Sequence, residues 1–424
     1  MRTAVLEALS ASGYRAAIRE SVHTQIRTEA AQAAWMATAL VDIGDAQEMS
    51  PLQAALKLSI HRTTERLCLW LSFLYDAPMM LRARRALAQG QGAQYAYALE
   101  LLDTQLPTDL KSLVLPIAED LPPQERLSQL ARTFPQKHQS RASRLSAMIA
   151  GPQARWCSAW TRACAVFAVG SLPAPECLPA VRAAVSDDDA LTRETAAWVL
   201  ARLEPAASGG DHRMLSTIEK VLILKQVDVF QQTPDDVLAD VAALLEEIEV
   251  AAGETIFYKG DLGDNLYVII TGKLRVDDGD HLLNYLDESD VFGEMALLDA
   301  EPRIASVRAV EPTHLLRLDQ EPFYELIADR PEVAIGLIRV LSRHLRARVR
   351  DMTQPTAPTQ QMSYDNDSGR RPRSGDVGAE KRRHARGHRS PWPPTRLSYS
   401  CRTFVADSVY AWVTAGNTHL LSYA

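Results

Sequence analysis

Over residues 1–205 apolar positions recur every three or four residues, and the two-residue alternation of a strand is absent. The pattern predicts helix after helix. Ser50-Pro51 opens one of them, with Pro at the first helical position, where its missing N–H costs no bond. It is predicted to run to about Tyr75 with Leu56, Ile60, Leu67 and Leu71 on one face. Ala174 to Ser186 reads as a single helix with Leu178, Val181 and Val185 inward. The acidic turn Asp187-Asp188-Asp189 ends it, and Thr192 to Leu203 forms the next, with Ala196, Val199 and Leu200 inside. A lone helix pair cannot bury its apolar face, so two architectures fit: stacked pairs forming a solenoid, or an irregular helical bundle.

Pro205 to Asp211 is small and Gly/Ser-rich, the composition of a linker. A helix from about Met214 to Leu224 follows, so 206–225 reads as a linker and connecting helix. Thr233-Pro234-Asp235-Asp236 starts another helix, with Thr233 as N-cap and acids in the first turn. From Gly253 the period becomes that of strands. Thr255–Tyr258, Leu266–Ile270, Lys273–Val276, His281–Leu286, Ala305–Val310 and Thr313–Leu318 are short runs separated by turn residues. Their spacing suits a small antiparallel jelly roll. Helix returns from about Glu321 to Arg350, with Leu337, Val340, Leu341 and Leu345 as an apolar stripe and Arg339, Arg343, Arg346, Arg348 and Arg350 as a basic face.

After Asp351 the composition shifts to Pro, Gly, Ser and Gln, with a basic cluster from Arg370 to Arg389, and such a segment buries too little apolar surface to fold. Residues 353–424 are therefore read as a disordered or low-complexity tail. A basic patch for nucleic acid or a membrane surface, or a shifted reading frame, would leave the same trace.

Charge adds one exclusion: the formal net charge of −7 argues against a general affinity for nucleic acid. Five cysteines occur, at 68, 157, 164, 177 and 401, with no Cys-x-x-Cys, so they read as reduced core residues and no metal site is expected. The longest apolar run, Leu67 to Tyr75, falls short of the ~20 residues of a membrane-spanning helix, and the first residues lack the core of a signal peptide. A cytoplasmic protein is expected. No Ser/His/Asp set, phosphate loop or kinase motif is present, so no catalytic residues are assigned and no enzyme is expected.

The candidate chemistry lies in Phe292 to Val307. Gly293 lets the backbone turn tightly and approach a ligand. The residues after it can start a short helix whose N–H groups point at an anion. Glu294 offers a carboxylate to a sugar hydroxyl. Pro302 ends the helix, and Arg303 brings a planar guanidinium that can bind a phosphate through two hydrogen bonds. One carboxylate and one Arg flanking free N–H groups match a ribose-phosphate.

This stretch resembles the phosphate-binding cassette of cyclic-nucleotide-binding domains, as in the catabolite activator and the kinase regulatory subunit. The run Phe-Gly-Glu-x-Ala-Leu-x(4)-Pro-Arg-x-Ala-x-Val is intact, and Gly253, Gly260-Asp261, Gly263-Asp264, Leu266–Ile269 and Gly272 match in order and spacing. The resemblance covers about 226–352. It implies that Glu294 holds the ribose 2′-hydroxyl and Arg303 the cyclic phosphate, with N–H groups near Met295, Ala296, Ile304 and Ala305 completing the cage. Ile304 departs from the small or hydroxyl residue usual after the Arg. Its branched side chain is expected to crowd the pocket, and the missing hydroxyl favours cAMP, with cGMP the other candidate. In the family the helix after the barrel covers the ligand or pairs subunits. No helix-turn-helix pattern follows it here, which argues against the transcription-factor form.

Leu178–Val181, Asp187-Asp188, Arg193 and Ala196–Leu200, with Trp160–Gly170 as the second helix of a preceding unit, resemble a HEAT repeat. More loosely, Ala98–Asp103 with Leu110–Pro116 resembles the cytosolic part of bacterial nucleotide-transporter-like proteins, without their membrane module. The expected chain is thus multidomain α and β: a HEAT-like region at 1–205, the linker at 206–225, a jelly-roll cyclic-nucleotide domain at 226–352, and a tail. Its expected function is regulatory, with a small cyclic nucleotide as ligand, no cofactor, and a protein partner on the repeats. The rival is a non-catalytic interaction scaffold whose barrel no longer binds.

Overall fold

The computed structural model describes residues 2–12, 19–90, 92–172, 174–203, 214–227, 230–231, 233–294, 296 and 301–329. The tail expected at 353–424, Cys401, the linker expected at 205–211 and the basic part of the helix expected to run to Arg350 lie outside them.

The helical region follows the apolar periodicity. The helices are α1 (Arg2–Ala11), α2 (Arg19–Ile43), α3 (Ser50–Ser72), α4 (Ala77–Leu87), α5 (Ala93–Gln105), α6 (Thr108–Ala118), α7 (Pro123–Leu130), α8 (Arg141–Ala150), α9 (Ala159–Val169), α10 (Leu178–Ala184) and α11 (Ala190–Leu203). In α3, Leu56, Ile60, Leu67 and Leu71 are buried as their spacing requires. Ala30, Ala33, Ala34 and Ala37 of α2 are fully buried, and their small side chains admit close packing of α2 on α3. A buried ion pair fixes α2 to α8: Arg144 donates to Asp42 through Nε at 2.9 Å and Nη2 at 2.7 Å, with both side chains 3% exposed.

Two local expectations are corrected. Residues 174–186 are not one helix: a 3-10 turn, Pro175–Cys177, precedes α10, because Pro179 sits in the first turn of a new helix rather than inside an old one. Val185 consequently faces outward at 39% exposure, and Cys177, Val181 and Ala184 take the inward positions. Thr233 is not a side-chain cap. The helix is α13 (Asp235–Ala242), entered from Pro234 with no side-chain cap bond, while Thr233 is itself buried. Just before it, α12 (Thr217–Gln226) carries a capping box, in which Ser216 and Glu219 satisfy each other's backbone N–H groups.

Eight strands form two four-stranded antiparallel sheets. They are β1 (Glu246–Val250), β2 (Thr255–Phe257), β3 (Asn265–Thr271), β4 (Leu274–Asp278), β5 (His281–Leu286), β6 (Val291–Phe292), β7 (Ser306–Ala309) and β8 (Thr313–Asp319). The orders are β1-β8-β3-β6 and β2-β7-β4-β5. Strands β1 and β6 were not anticipated. Between the sheets lie Val250, Tyr267, Ile269, Leu274, Phe292, Val307 and Leu315. The outer face of the first sheet is also apolar: Leu266, Val268, Leu316 and Leu318 join the core of the helical region. That explains the unbroken run Leu-Tyr-Val-Ile in β3, since both of its faces are covered. Helix α14 (Gln320–Asp329) follows β8 directly. Among the described residues no helix is long and apolar enough to cross a membrane.

Candidate functional site

Sheet pairing brings the cassette onto one wall of the barrel. β6 pairs with β3, and Phe292 stacks on Tyr267 with centroids 5.0 Å apart and 12° between planes. Pairing stops because Gly293 turns at φ +78°, in the region that favours glycine. A Cβ there would also stand 2.6 Å from Arg303 Nη1 and 2.8 Å from the Asn265 carbonyl oxygen. Gly293 is thus required twice, by its own backbone and by the approach of Arg303.

Arg303 enters from the opposite side. Its N–H donates to the Asp261 carbonyl and its carbonyl accepts from the Gly260 N–H, both at 2.8 Å, while Pro302 bridges to Leu262. With the backbone pinned, the side chain folds inward and is only 7% exposed. Nη2 donates to the Asn265 carbonyl at 3.0 Å and to its Oδ1 at 3.2 Å, and Nη1 reaches the Gly293 carbonyl at 3.4 Å. The guanidinium lies 4.2 Å over the centroid of the Phe257 ring. Gly263 makes the room, because a Cβ there would fall 2.1 Å from Arg303 Nε.

All of these hydrogen bonds go to uncharged oxygens, and none goes to Glu294. Nε is buried with no partner among the described residues. Burial pulls the guanidinium pKa below its ordinary value, against the opposing influence of Tyr267, Asp264, Glu294 and Asp261. A guanidinium nonetheless stays protonated. The site therefore holds a buried cation with an unused donor, the arrangement that an incoming anion completes.

A cavity of about 280 Å³ opens beside it, lined by Gly293, Glu294, Ala296, Arg303, Ile304 and Ala305 together with apolar side chains of both sheets. The structure thus brings six of the seven sequence-assigned residues together, and Met295 lies outside the described residues. Ile304 was expected to crowd the pocket, but its side chain is 70% exposed at the rim and leaves the interior open. The Ala296 N–H donates to the Gly293 carbonyl at 3.2 Å, closing a turn instead of standing free.

Asn265, Phe257 and Gly263 belong to the site as well, and the sequence reading did not assign them. Asn265 Nδ2 donates to Asp319 at 3.0 Å, which leaves its Oδ1 turned toward Arg303. Gln320 closes the far side: its N–H donates to the Asp264 carbonyl at 2.8 Å and its Nε2 to the Ala296 carbonyl at 3.1 Å. The first residue of α14 is thereby tied to both flanks of Arg303. The cluster Gly263-Asp264-Asn265 reads equally well as a plain turn, and the match of Gly263-Asp264 to the family spacing does not point to a contact with Arg303.

Comparison with known proteins adds the following. Residues 247–330 match the family described as cyclic nucleotide-binding domain. The CRP-like cAMP-activated global transcriptional regulator of Mycobacterium tuberculosis is 34% identical over 129 residues, 29% of this chain and 58% of that protein. The cyclic AMP receptor protein of Thermus thermophilus is 43% identical over 99 residues, covering 22% and 46%. The cAMP-dependent protein kinase regulatory subunit of Dictyostelium discoideum is 38% identical over 117 residues, covering 26% and 34%. The chain therefore spans from about a third to just over half of the length of these relatives. By this match, residues 247–330 form a cyclic nucleotide-binding domain within a chain that is otherwise helical where it is described.

Proposed function

We propose that the chain is a non-catalytic regulatory protein whose barrel binds a 3′,5′-cyclic nucleotide, cAMP in preference to cGMP. The observation that carries this reading is Arg303, a buried guanidinium with an unpartnered Nε beside a cavity that Glu294 also lines. A phosphate set against Nε and the Nη groups would gain two charge-assisted hydrogen bonds. Glu294 would accept from the ribose 2′-hydroxyl, and the N–H groups of Ile304 and Ala305 would donate to the phosphate. The names of the three relatives support cAMP as the ligand.

The helical region is read as a HEAT-like stack that relays the ligand state or holds a protein partner. Its support is the turn between α10 and α11. Arg162 of α9 grips Asp187 with two hydrogen bonds of 2.7 Å, and Arg193 donates to the carbonyls of Asp187 and Asp188. Successive helices are thus locked at the acidic turn, as stacked pairs require.

Titration calorimetry of the full chain with cAMP and with cGMP tests the proposal. Saturable heat at one nucleotide per chain, tighter for cAMP, is the expected result. No heat and no thermal shift at millimolar nucleotide would leave the scaffold reading in its place.

A further inference from the structure

We infer that Asn284 reads the base in this pocket and selects adenine over guanine, an inference that rests on the nucleotide reading above. The starting point is the register of the β4–β5 hairpin. Leu274 pairs with Leu286 and Val276 with Asn284, but the next pair is Asp277 with Leu282. Leu283 is the extra residue of a β-bulge, and a bulge breaks the strict alternation of side chains and re-aims them. Leu283 and Asn284, though adjacent in sequence, both line the cavity.

Asn284 also ends a row that crosses the whole second sheet. Phe257 pairs with Val307, Val307 with Val276, and Val276 with Asn284, and all four line the cavity. Three strand spacings make this row about 14 Å long. Arg303 stands over Phe257 at one end. A nucleotide with its phosphate on Arg303 therefore extends its base along Val307 and Val276 and brings the outer edge of the base to Asn284. The other polar side chains of the cavity, Glu294, Glu301 and Arg303, all belong to the cassette. Asn284 is the one polar side chain on the apolar sheet wall, and its amide makes no hydrogen bond to a described residue.

An amide presents one acceptor and one donor side by side. Adenine offers the complement on its N7 edge, where the 6-amino group donates and N7 accepts. Guanine offers two acceptors there, O6 and N7, so the Asn284 carbonyl would face an oxygen without a donor. The pairing we assign is Asn284 Oδ1 with the 6-amino group and Nδ2 with N7.

The test uses the full chain, parent and Asn284→Ala, titrated with cAMP, cGMP and 7-deaza-cAMP, with melting temperatures taken without ligand. The side chain is exposed at the pocket mouth, so the low end of amide–adenine discrimination applies, about 5- to 10-fold. Asn284→Ala should weaken cAMP by that factor, leave cGMP unchanged and melt with the parent. 7-Deaza-cAMP keeps the 6-amino group and loses only the N7 acceptor, so it should bind the parent more weakly than cAMP does but no more weakly than cAMP binds the variant, and the variant should not distinguish the two. An unchanged cAMP-to-cGMP ratio in Asn284→Ala, or parent affinity for 7-deaza-cAMP equal to that for cAMP, would overturn the assignment while the nucleotide reading stood. A parent that binds none of the three would overturn both.

Discussion

Arg303→Ala separates binding from folding, because the contacts of this side chain pull in opposite directions. Without ligand the substitution removes two hydrogen bonds onto Asn265, roughly 0.5–1.5 kcal/mol each, and the contact with Phe257, about 0.5–2 kcal/mol. It also removes a buried cation whose Nε has no partner, a desolvation cost of roughly 1–3 kcal/mol. The relief offsets part of the roughly 1.5–5 kcal/mol of lost contacts, so the unliganded protein should lose no more than about 4 kcal/mol of stability. With ligand the buried cation is paired, so its desolvation no longer offsets the loss. A charge-assisted bond contributes about 1.5–3 kcal/mol, and a forked contact has two. Two such bonds total about 3–6 kcal/mol, so affinity should fall by about 100-fold to about 20,000-fold, taking 1.4 kcal/mol per tenfold. Arg308 on β7 is the control: it is exposed and donates to Thr255, so Arg308→Ala should leave affinity within twofold of the parent, on the order expected for a surface group. Calorimetry gives the affinities, and urea unfolding of the ligand-free proteins gives the stabilities. An Arg303→Ala protein that binds like the parent would place the phosphate elsewhere and refute this reasoning.

Gly293→Ala should both destabilise the barrel, by roughly 1–3 kcal/mol for a left-handed backbone, and displace Arg303, since the new Cβ falls 2.6 Å from Nη1; urea unfolding and nucleotide titration report the two effects. Asp187→Asn should destabilise the helical region at neutral pH but not in acid. Burial alone would raise the Asp187 pKa, yet the Asp189 N–H and the Arg162 guanidinium hold it below its ordinary 3.8. A depressed folded-state pKa contributes stability above the unfolded value that is lost as pH falls through the folded one, so the gap between parent and variant should close below about pH 3.8, read by unfolding at a series of pH values. Cys68 and Cys157, whose thiols burial pushes up to about 12, should resist iodoacetamide in the native protein at pH 8 and react once denatured, as mapped by mass spectrometry; rapid native labelling of either would contradict their burial.

How much was legible depends on the range over which each feature is encoded. Gly293 to Arg303 is a local spacing, and its turn residues and charges could be read directly. The strands from Thr255 to Leu286 announced themselves through the glycines and aspartates between them. β1 did not, because Glu246, Glu247 and Glu249 make the segment look like a solvated loop. Its glutamates are placed by distant partners: Glu246 accepts from Arg317, and Glu247 from the Leu215 N–H. β6 has two residues, too few for any period. The neighbours of Arg303 were hidden for a related reason. Asn265 lies 38 residues before it, and only the folding of β3 against the cassette brings the two together.

The same sheet that holds Asn265 also connects the site to the rest of the chain. Tyr267 and Ile269 point into the barrel, and Leu266 and Val268 between them point into the helical core. The helices before the barrel are fastened to its first strand by polar contacts: Lys220 donates to the Leu245 carbonyl at 2.8 Å, and Glu247 accepts from the Leu215 N–H at 2.8 Å. Farther back, Arg62 of α3 grips Asp236 of α13 with two hydrogen bonds of 2.6 and 2.9 Å. Close-packed interiors transmit displacement because they leave few voids to absorb it. A phosphate that competed for the Arg303 donors would weaken their hold on Asn265, at the start of β3. The outer face of that strand is already part of the helical core, so under the proposed function β3 is the element through which nucleotide binding would reach the helices.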